Sequence, residues 1–180
     1  MSKTLHSNAA ATGSESGEAQ VTIRPASIDD LREIAIIWSE GQMTQGDTPP
    51  NLDEAMEAFR TRVQERAIDY GIWVAEVEGV VVGWQSLYRF RANPIHNWAE
   101  SSTYISQRHK GCGIGRKLLT FATQHANVVK LTYVAGFIKA SNEAPIKIVE
   151  SLGWHRVGLL PRSKSDDIEW LYYVYAVPHE

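Results

Sequence analysis

Residues 109–119 read HKGCGIGRKLL, with glycines at 111, 113 and 115, cations on either side and an apolar helical run directly behind. The strand-like SSTYIS of residues 101–106 leads into it, so the chain passes from strand to helix through a loop nearly stripped of side chains. A helix beginning there leaves its first amide N–H groups without intrahelical partners and carries about half a positive charge at that end. An anion is the natural guest. Glycine lets the backbone come within hydrogen-bonding distance of a pyrophosphate, because a Cβ would hold the oxygens away. Two readings share these residues: a phosphate cradle, or a tight turn with a glycine-rich helix entry. Two common phosphate motifs fail on spacing, since the dinucleotide fingerprint and the P-loop both need glycine at position 116, which is Arg116.

Outward from this loop, hydrophobic periodicity divides the chain. VTIRP (21–25) alternates and ends at proline, which predicts a first strand. Ser27 and Asp30 form a capping-box pair, and Ile28, Leu31, Ile34, Ala35 and Trp38 share one helical face. GQMTQGDTPPN (41–51) reads as loop, and Met56, Phe59, Val63 and Ala67 mark a second amphipathic helix over about residues 52–68. IWVAEV and VVVGWQSLY, joined by Glu78-Gly79, predict an antiparallel hairpin. WAESSTYIS (98–106) is the next strand, and Ile114, Leu118, Phe121, Ala122 and His125 trace a third helix behind the loop. LTYVAGFI (131–138) is unbroken apolar sequence, which predicts a strand buried on both faces and parallel to its neighbour. Residues 144–152 give a short helix ending at Gly153, and WHRVGLLP and WLYYVYAV supply the last strands. The expected order is β-α-α-β-β-β-α-β-α-β-β: one α/β domain with a mixed sheet over residues 21–180, behind a disordered tail at 1–20 that has a single large aliphatic residue, Leu5.

Composition bounds the function. A chain of 180 residues with 43% hydrophobic and 22% charged residues suits one globular domain. A formal charge of −3 gives no electrostatic reason to expect nucleic acid. No apolar run reaches the ~20 residues of a membrane helix, and the N-terminus lacks a signal-peptide pattern. The single cysteine, Cys112, forms no intrachain disulfide, and these features together predict a cytoplasmic protein. Six histidines show no metal-ligand spacing such as H-E-x-x-H, so no metal is expected.

Arg108-His109-Lys110-Gly111-Cys112-Gly113 fits the pattern R/Q-x-x-G-x-G. By that motif, the order of strands and an Asn142 ahead of the fourth helix, the chain resembles the GNAT acyltransferase superfamily over residues 21–177. Its segment NWAESSTYISQRHKGCGIG (97–115) is most similar to the phosphinothricin acetyltransferase branch. The resemblance implies acetyl-CoA as acyl donor. Thr103, Tyr104 and Ile105 would pair through their backbone with the pantetheine arm. Arg108, Gly111, Cys112, Gly113, Ile114, Gly115 and Arg116 would hold the pyrophosphate, and Asn142 would bond to the pantetheine side. Lys110 and Arg116 read equally as helpers at the adenosine phosphates or as solvated surface charges.

Acyl transfer to an amine needs a neutral nucleophile, a polarised carbonyl and a protonated leaving thiolate. An alkyl amine has a pKa of about 10, so its proton has to be removed. The resemblance places the branch's catalytic carboxylate at Glu100; without it, Glu100 reads as a solvated residue at a strand end. A backbone N–H near Tyr104 or Ile105 is expected to stabilise the oxyanion. The superfamily's helix motif carries Tyr or His where NEAPIKIVESLGW (142–154) has Val149, which donates no proton. Tyr104 and Tyr133 are the remaining phenols, or the thiolate leaves unaided. Arg89 and Arg91 offer planar donors for a substrate carboxylate or phosphinate, with plain surface arginines as the bland reading. The branch implies a small amino acid or its phosphinate or sulfoximine analogue as substrate, and a homodimer. Acetylation of a peptide or protein N-terminus, or coenzyme binding without turnover, are the alternatives.

Overall fold

The structure, a computed structural model, describes residues 20–44, 48–49, 51–64, 70–90, 97–160 and 168–178. Residues 1–19 of the expected tail and Arg91 lie outside them. The elements are β1 (Val21–Pro25), α1 (Leu31–Thr44), α2 (Leu52–Gln64), β2 (Gly71–Val77), β3 (Val80–Arg89), β4 (Trp98–Ile105), α3 (Ile114–Val128), β5 (Tyr133–Lys139), α4 (Glu143–Ser151), β6 (His155–Leu160) and β7 (Trp170–Ala176). Short 3-10 turns precede α1 (Ile28–Asp30) and follow β4 (Gln107–His109). The order is the one expected from periodicity. The seven strands form one sheet, β1-β2-β3-β4-β5-β7-β6, antiparallel throughout except where β4 meets β5.

Local chemistry explains the joints. Glu78 and Gly79 both take positive φ (52° and 78°), as a two-residue turn matching the strand twist requires, and connect β2 to β3. Two parallel strands need a crossover, and α3 supplies it between β4 and β5. The capping pair forms: the Ser27 N–H donates to Asp30 Oδ2 at 2.7 Å. Asp30 also receives two hydrogen bonds from Arg24, which reaches Glu76 as well, so β1, β2 and the start of α1 are tied by one ionic cluster. The Arg24 guanidinium holds the Asp30 carboxyl well below its ordinary range, at about 2.

Two expectations need correction. The loop expected from Gly41 begins later, because α1 continues to Thr44. Glycine inside a helix costs up to ~1 kcal/mol, yet here α1 crosses Tyr104 so closely that a Cβ at Gly41 would stand 2.5 Å from its ring. Packing overrides propensity. The second correction concerns β5, which is buried at Val134 and Gly136 on one face but on the other only at Ala135 and Lys139. Val134 packs among Leu119, Ala122 and Val149 beneath α3 and α4. On the opposite face Tyr133 and Phe137 remain half-buried, since α1 and α2 pack against β2, β3 and β4.

Each sheet face has its own core. Ile34, Ala35, Phe59 and Trp84 are buried beneath α1 and α2, where the Trp84 indole N–H donates to the Ile34 carbonyl at 3.1 Å. Leu87, Ala99, Leu131 and Tyr173 are buried with α3 and α4 on the other.

Candidate active site

β4 and β5 run side by side for three residue pairs: Trp98 with Tyr133, Ala99 with Val134, and Glu100 with Ala135. Beyond these, β4 continues against β3 as far as Ile105, and β5 against β7 as far as Lys139. Two parallel strands that part in this way open a cleft toward their carboxyl ends, the usual place for a ligand in a sheet of this kind. Glu100 stands at its apex.

At the β4 lip the surface is mainly backbone. Gly111 and Gly113 take φ of +82° and +74°, and a Cβ on either would meet nothing within 4 Å. Gly113 is the N-cap of α3 and makes no side-chain cap, and no acidic residue lies in the first turn. The N-terminal amides of this four-turn helix thus have neither a side-chain cap nor a first-turn carboxylate to set against their positive potential. Ile114 is buried, so only its N–H can meet an anion. Gly115 lies where α3 meets β4, its Cβ position an ordinary contact distance of 3.7 Å from Ile105 Cγ1. Cys112 and Arg108 are exposed. Arg116 donates to Ser151 Oγ at 2.7 Å and links α3 to α4. Across the cleft, at the end of β5, Asn142 caps α4 by position; its side chain is exposed and makes no capping bond. Thr103 Oγ1 donates to Gln85 Oε1, and Gln85 Nε2 donates to Ser101 Oγ at 2.8 Å, so these side chains brace β4 against β3.

The apex is made of side chains. The Tyr88 hydroxyl donates to Glu100 Oε1 at 2.9 Å and lies 3.1 Å from Ser102 Oγ. Burial pushes the Tyr88 phenol up to about 12, and the Glu100 charge adds to that against the hydrogen bond with Ser102. Tyr88 is thus a permanent donor at physiological pH. The Arg62 guanidinium, from α2, stacks over the same phenol with Cζ 5.1 Å from the ring centroid. Tyr172 also feels Glu100: burial raises its phenol first, and the carboxylate's charge adds. Its ring stacks on Phe137 at 4.9 Å, while Phe90 stacks on Trp98 at 5.9 Å, so the carboxylate sits beside an aromatic surface.

Of the residues singled out in the sequence, the fold gathers Glu100, Thr103 to Ile105, the glycine loop and Asn142 around one cleft. Arg89 stands apart from Glu100: Tyr88 pairs with Glu100 in register, and the pleat turns the next residue to the other face. Val149 is buried among Trp154, Leu171 and Tyr173. Tyr104 stacks on Trp84 at 4.8 Å, and Tyr133 lies edge-on to Trp98 at the closed end of the cleft. Tyr88, Ser102 and Arg62 escaped the sequence reading. The period-2 alternation from Glu100 could have indicated Ser102; nothing local signals the other two. Among the described residues no group of three His, Cys, Asp or Glu side chains could hold a metal ion, and no helix is long and apolar enough to cross a membrane.

A glycine-lined helix N-terminus at the end of β4, opening on a splayed parallel pair, defines the class: the chain belongs to the GNAT acetyltransferase family, whose domain matches residues 20–155. It is an acetyl-CoA-dependent N-acetyltransferase. It is 30% identical over 144 residues to the phosphinothricin N-acetyltransferase of Streptomyces viridochromogenes, covering 78% of this chain and 77% of that protein. The L-amino acid N-acyltransferase of Escherichia coli is 33% identical over 157 residues, covering 84% and 89%. A phosphinothricin acetyltransferase from Sinorhizobium meliloti, solved in complex with acetyl-CoA, shares the fold with a TM-score of 0.75 at 23% identity, covering 87% of this chain and 88% of that one.

Proposed function

We propose that this N-acetyltransferase moves an acetyl group directly from acetyl-CoA to the primary amine of a small amino acid or an analogue of the phosphinothricin or methionine sulfoximine type, with Glu100 as general base. One observation carries the assignment of the base: Glu100 is the last β4 residue paired with β5, where the cleft opens, and its carboxylate is held in place by Tyr88. The substrate class draws on the two relatives named above.

The residues present fit the donor. Open space beside Gly111 and Gly113 is what a Cβ would otherwise fill, and the uncapped start of α3 suits a pyrophosphate. Arg108 and residues 111–116 hold that group in this reading, with the backbone of Thr103, Tyr104 and Ile105 along the pantetheine arm and the Asn142 amide on its far side. Bound there, acetyl-CoA supplies a thioester-activated acetyl group. The chain's own work is to orient and to move a proton. Glu100 accepts the proton of the incoming ammonium, directly or through water, a contribution of ~10² to 10⁴ in rate. Tyr88 and Ser102 position that carboxylate. With Val149 in the core, the fourth helix provides no acid at its usual position, and the thiolate, a weak base like that of cysteine at about 8.5, departs without one.

The same reading takes residues 21–180 as one catalytic domain and 1–20 as an appended tail. It takes the enzyme as a cytoplasmic homodimer, in keeping with its exposed free Cys112 and with the apolar Val157, Leu159 and Leu160 exposed on edge strand β6. Light scattering at micromolar concentration tests the dimer. The reaction is tested by following free thiol release from acetyl-CoA against amino acids, methionine sulfoximine, phosphinothricin, polyamines and peptides. Release confined to peptides would move the substrate class to protein N-termini.

A further inference from the structure

The Tyr88 and Ser102 hydroxyls form one hydrogen-bonded group with Glu100, and a hydroxyl has a single proton to give. The Tyr88 proton goes to Glu100 Oε1 at 2.9 Å. Across the 3.1 Å contact between Tyr88 and Ser102, it is therefore Ser102 that donates. Its own proton thus placed, Ser102 offers only lone pairs to a further neighbour.

Directly opposite Ser102, on β3, stands Ser86. Ser86 is 4% exposed, and its Oγ has no hydrogen-bond partner among the described residues. We infer that Ser86 is a further positioning residue for the base: its hydroxyl donates to Ser102 and heads a one-way row, Ser86 to Ser102 to Tyr88 to Glu100, that holds the carboxylate ionised. The inference rests on Glu100 being the base, as proposed above.

The sheet supplies the geometry. Residues directly opposite in an antiparallel pair hold their Cβ atoms about 4.5–5.5 Å apart, so a turn about χ1 brings two serine hydroxyls together. The other neighbours of Ser86 are apolar. Ile72 pairs with it from β2, and Trp84, two residues earlier on the same face, stacks on Tyr104 at 4.8 Å. Ile72 and Trp84 both belong to the core beneath α1 and α2. A buried hydroxyl without a partner is costly there, and Ser102 is the acceptor that the register provides.

The row also has a chemical use. An ionised carboxylate takes the ammonium proton, whereas a protonated one has no room for it. Around Glu100 stand Tyr88 from β3, Tyr172 from β7 and, over the Tyr88 ring, Arg62 from α2. Tyr88 bonds to the carboxylate directly, and a donor to the charged form favours that form. Hydrogen bonds that point the same way polarise one another, so each hydroxyl behind Tyr88 strengthens the last bond.

Carbon-13 NMR of the coenzyme-free enzyme, labelled in glutamate, follows the Glu100 carboxyl directly, its resonance being identified by its loss in Glu100→Gln. Removing donors should move its titration midpoint upward by about one pH unit in Tyr88→Phe, about half a unit in Ser102→Ala and about 0.2–0.3 of a unit in Ser86→Ala. In the Tyr88→Phe background, where the row is cut, neither serine substitution should move it further. Ser86→Ala should also lower the melting temperature by about 2–4 °C, because a bonded hydroxyl is lost. An idle buried hydroxyl gives the opposite sign. An unmoved midpoint in Ser86→Ala, a raised melting temperature, or the same shift with and without Tyr88 would overturn the row while leaving the acetyltransferase reading intact. Unchanged turnover in Glu100→Gln would instead remove the base, and with it the purpose of the row, whatever the NMR midpoints show.

Discussion

At its carboxyl end β4 delivers the chain into a surface made of backbone: the left-handed Gly111 and Gly113, and the bare amides of α3. At its amino end the same strand presents side chains: Glu100 held by Tyr88, with Arg62 stacked behind the phenol and aromatic rings alongside. The first end suits a ligand whose recognised part is always the same, since main-chain groups offer one chemistry and resist change by point mutation. The second suits a ligand that differs between enzymes of one fold, because each of its residues can be exchanged without disturbing the ladder. A common donor and a variable acceptor fit that division.

The division is open to direct attack. Glu100→Gln should leave coenzyme affinity within about twofold and lower kcat near neutral pH by ~10² to 10⁴; isothermal titration and thiol release measure the two, and unchanged turnover would remove Glu100 as the base. Gly113→Val should do the reverse. A β-branched residue in the left-handed region costs about 1–3 kcal/mol, so coenzyme Kd should rise about 10- to 100-fold, while kcat at saturating donor changes much less. Normal binding in that variant would discredit the backbone cradle. A smaller effect is expected from Tyr88→Phe, which removes the donor to Glu100 and keeps the ring under Arg62: kcat should fall about 10-fold with little change in KM for the amino acid. In the unaltered enzyme the Tyr88 phenol, pushed up to about 12, should stay un-ionised at pH 10.5, as the 295 nm phenolate difference between the two proteins would report.

Away from both ends, Asp30→Asn should touch stability alone, by about 1–3 kcal/mol in denaturant unfolding, with kcat and coenzyme Kd unaltered. Its pH dependence has a definite sign. Asp30 titrates at about 2 in the fold against an ordinary 3.8, so the ionic contribution is full above pH 4, shrinks as the pH falls and is gone below about 2. The stability gap between the two proteins should close over that window.

How much of this was legible in the residue order depends on how local each feature is. The hairpin at Glu78-Gly79, the amphipathic helices and the strand-loop-helix passage at 101–118 depend on neighbours within a few positions, and all were visible. Where tertiary packing intervened, local rules erred. Gly41 looked like a helix end and is instead the point where α1 rides over Tyr104. The apolar LTYVAGFI looked buried on both faces, yet on the face that buries Ala135 and Lys139 the rings of Tyr133 and Phe137 stay partly exposed. Arg89 looked close to the acceptor because it lies in the irregular stretch beside the strand, and a one-residue step in the pleat sent it to the far side.

The sequence alone determined the order of elements, the glycine-lined helix start and, through its likeness to a known branch, the choice of Glu100. These follow from φ preferences, hydrophobic period and spacing, which act over short stretches of chain. Only the tertiary structure brought residues 62, 88, 100 and 102 together and parted β4 from β5 after the third pair. Strand register and the docking of α2 decide those contacts, and both are set by long-range packing of the two cores, for which no single segment holds the information.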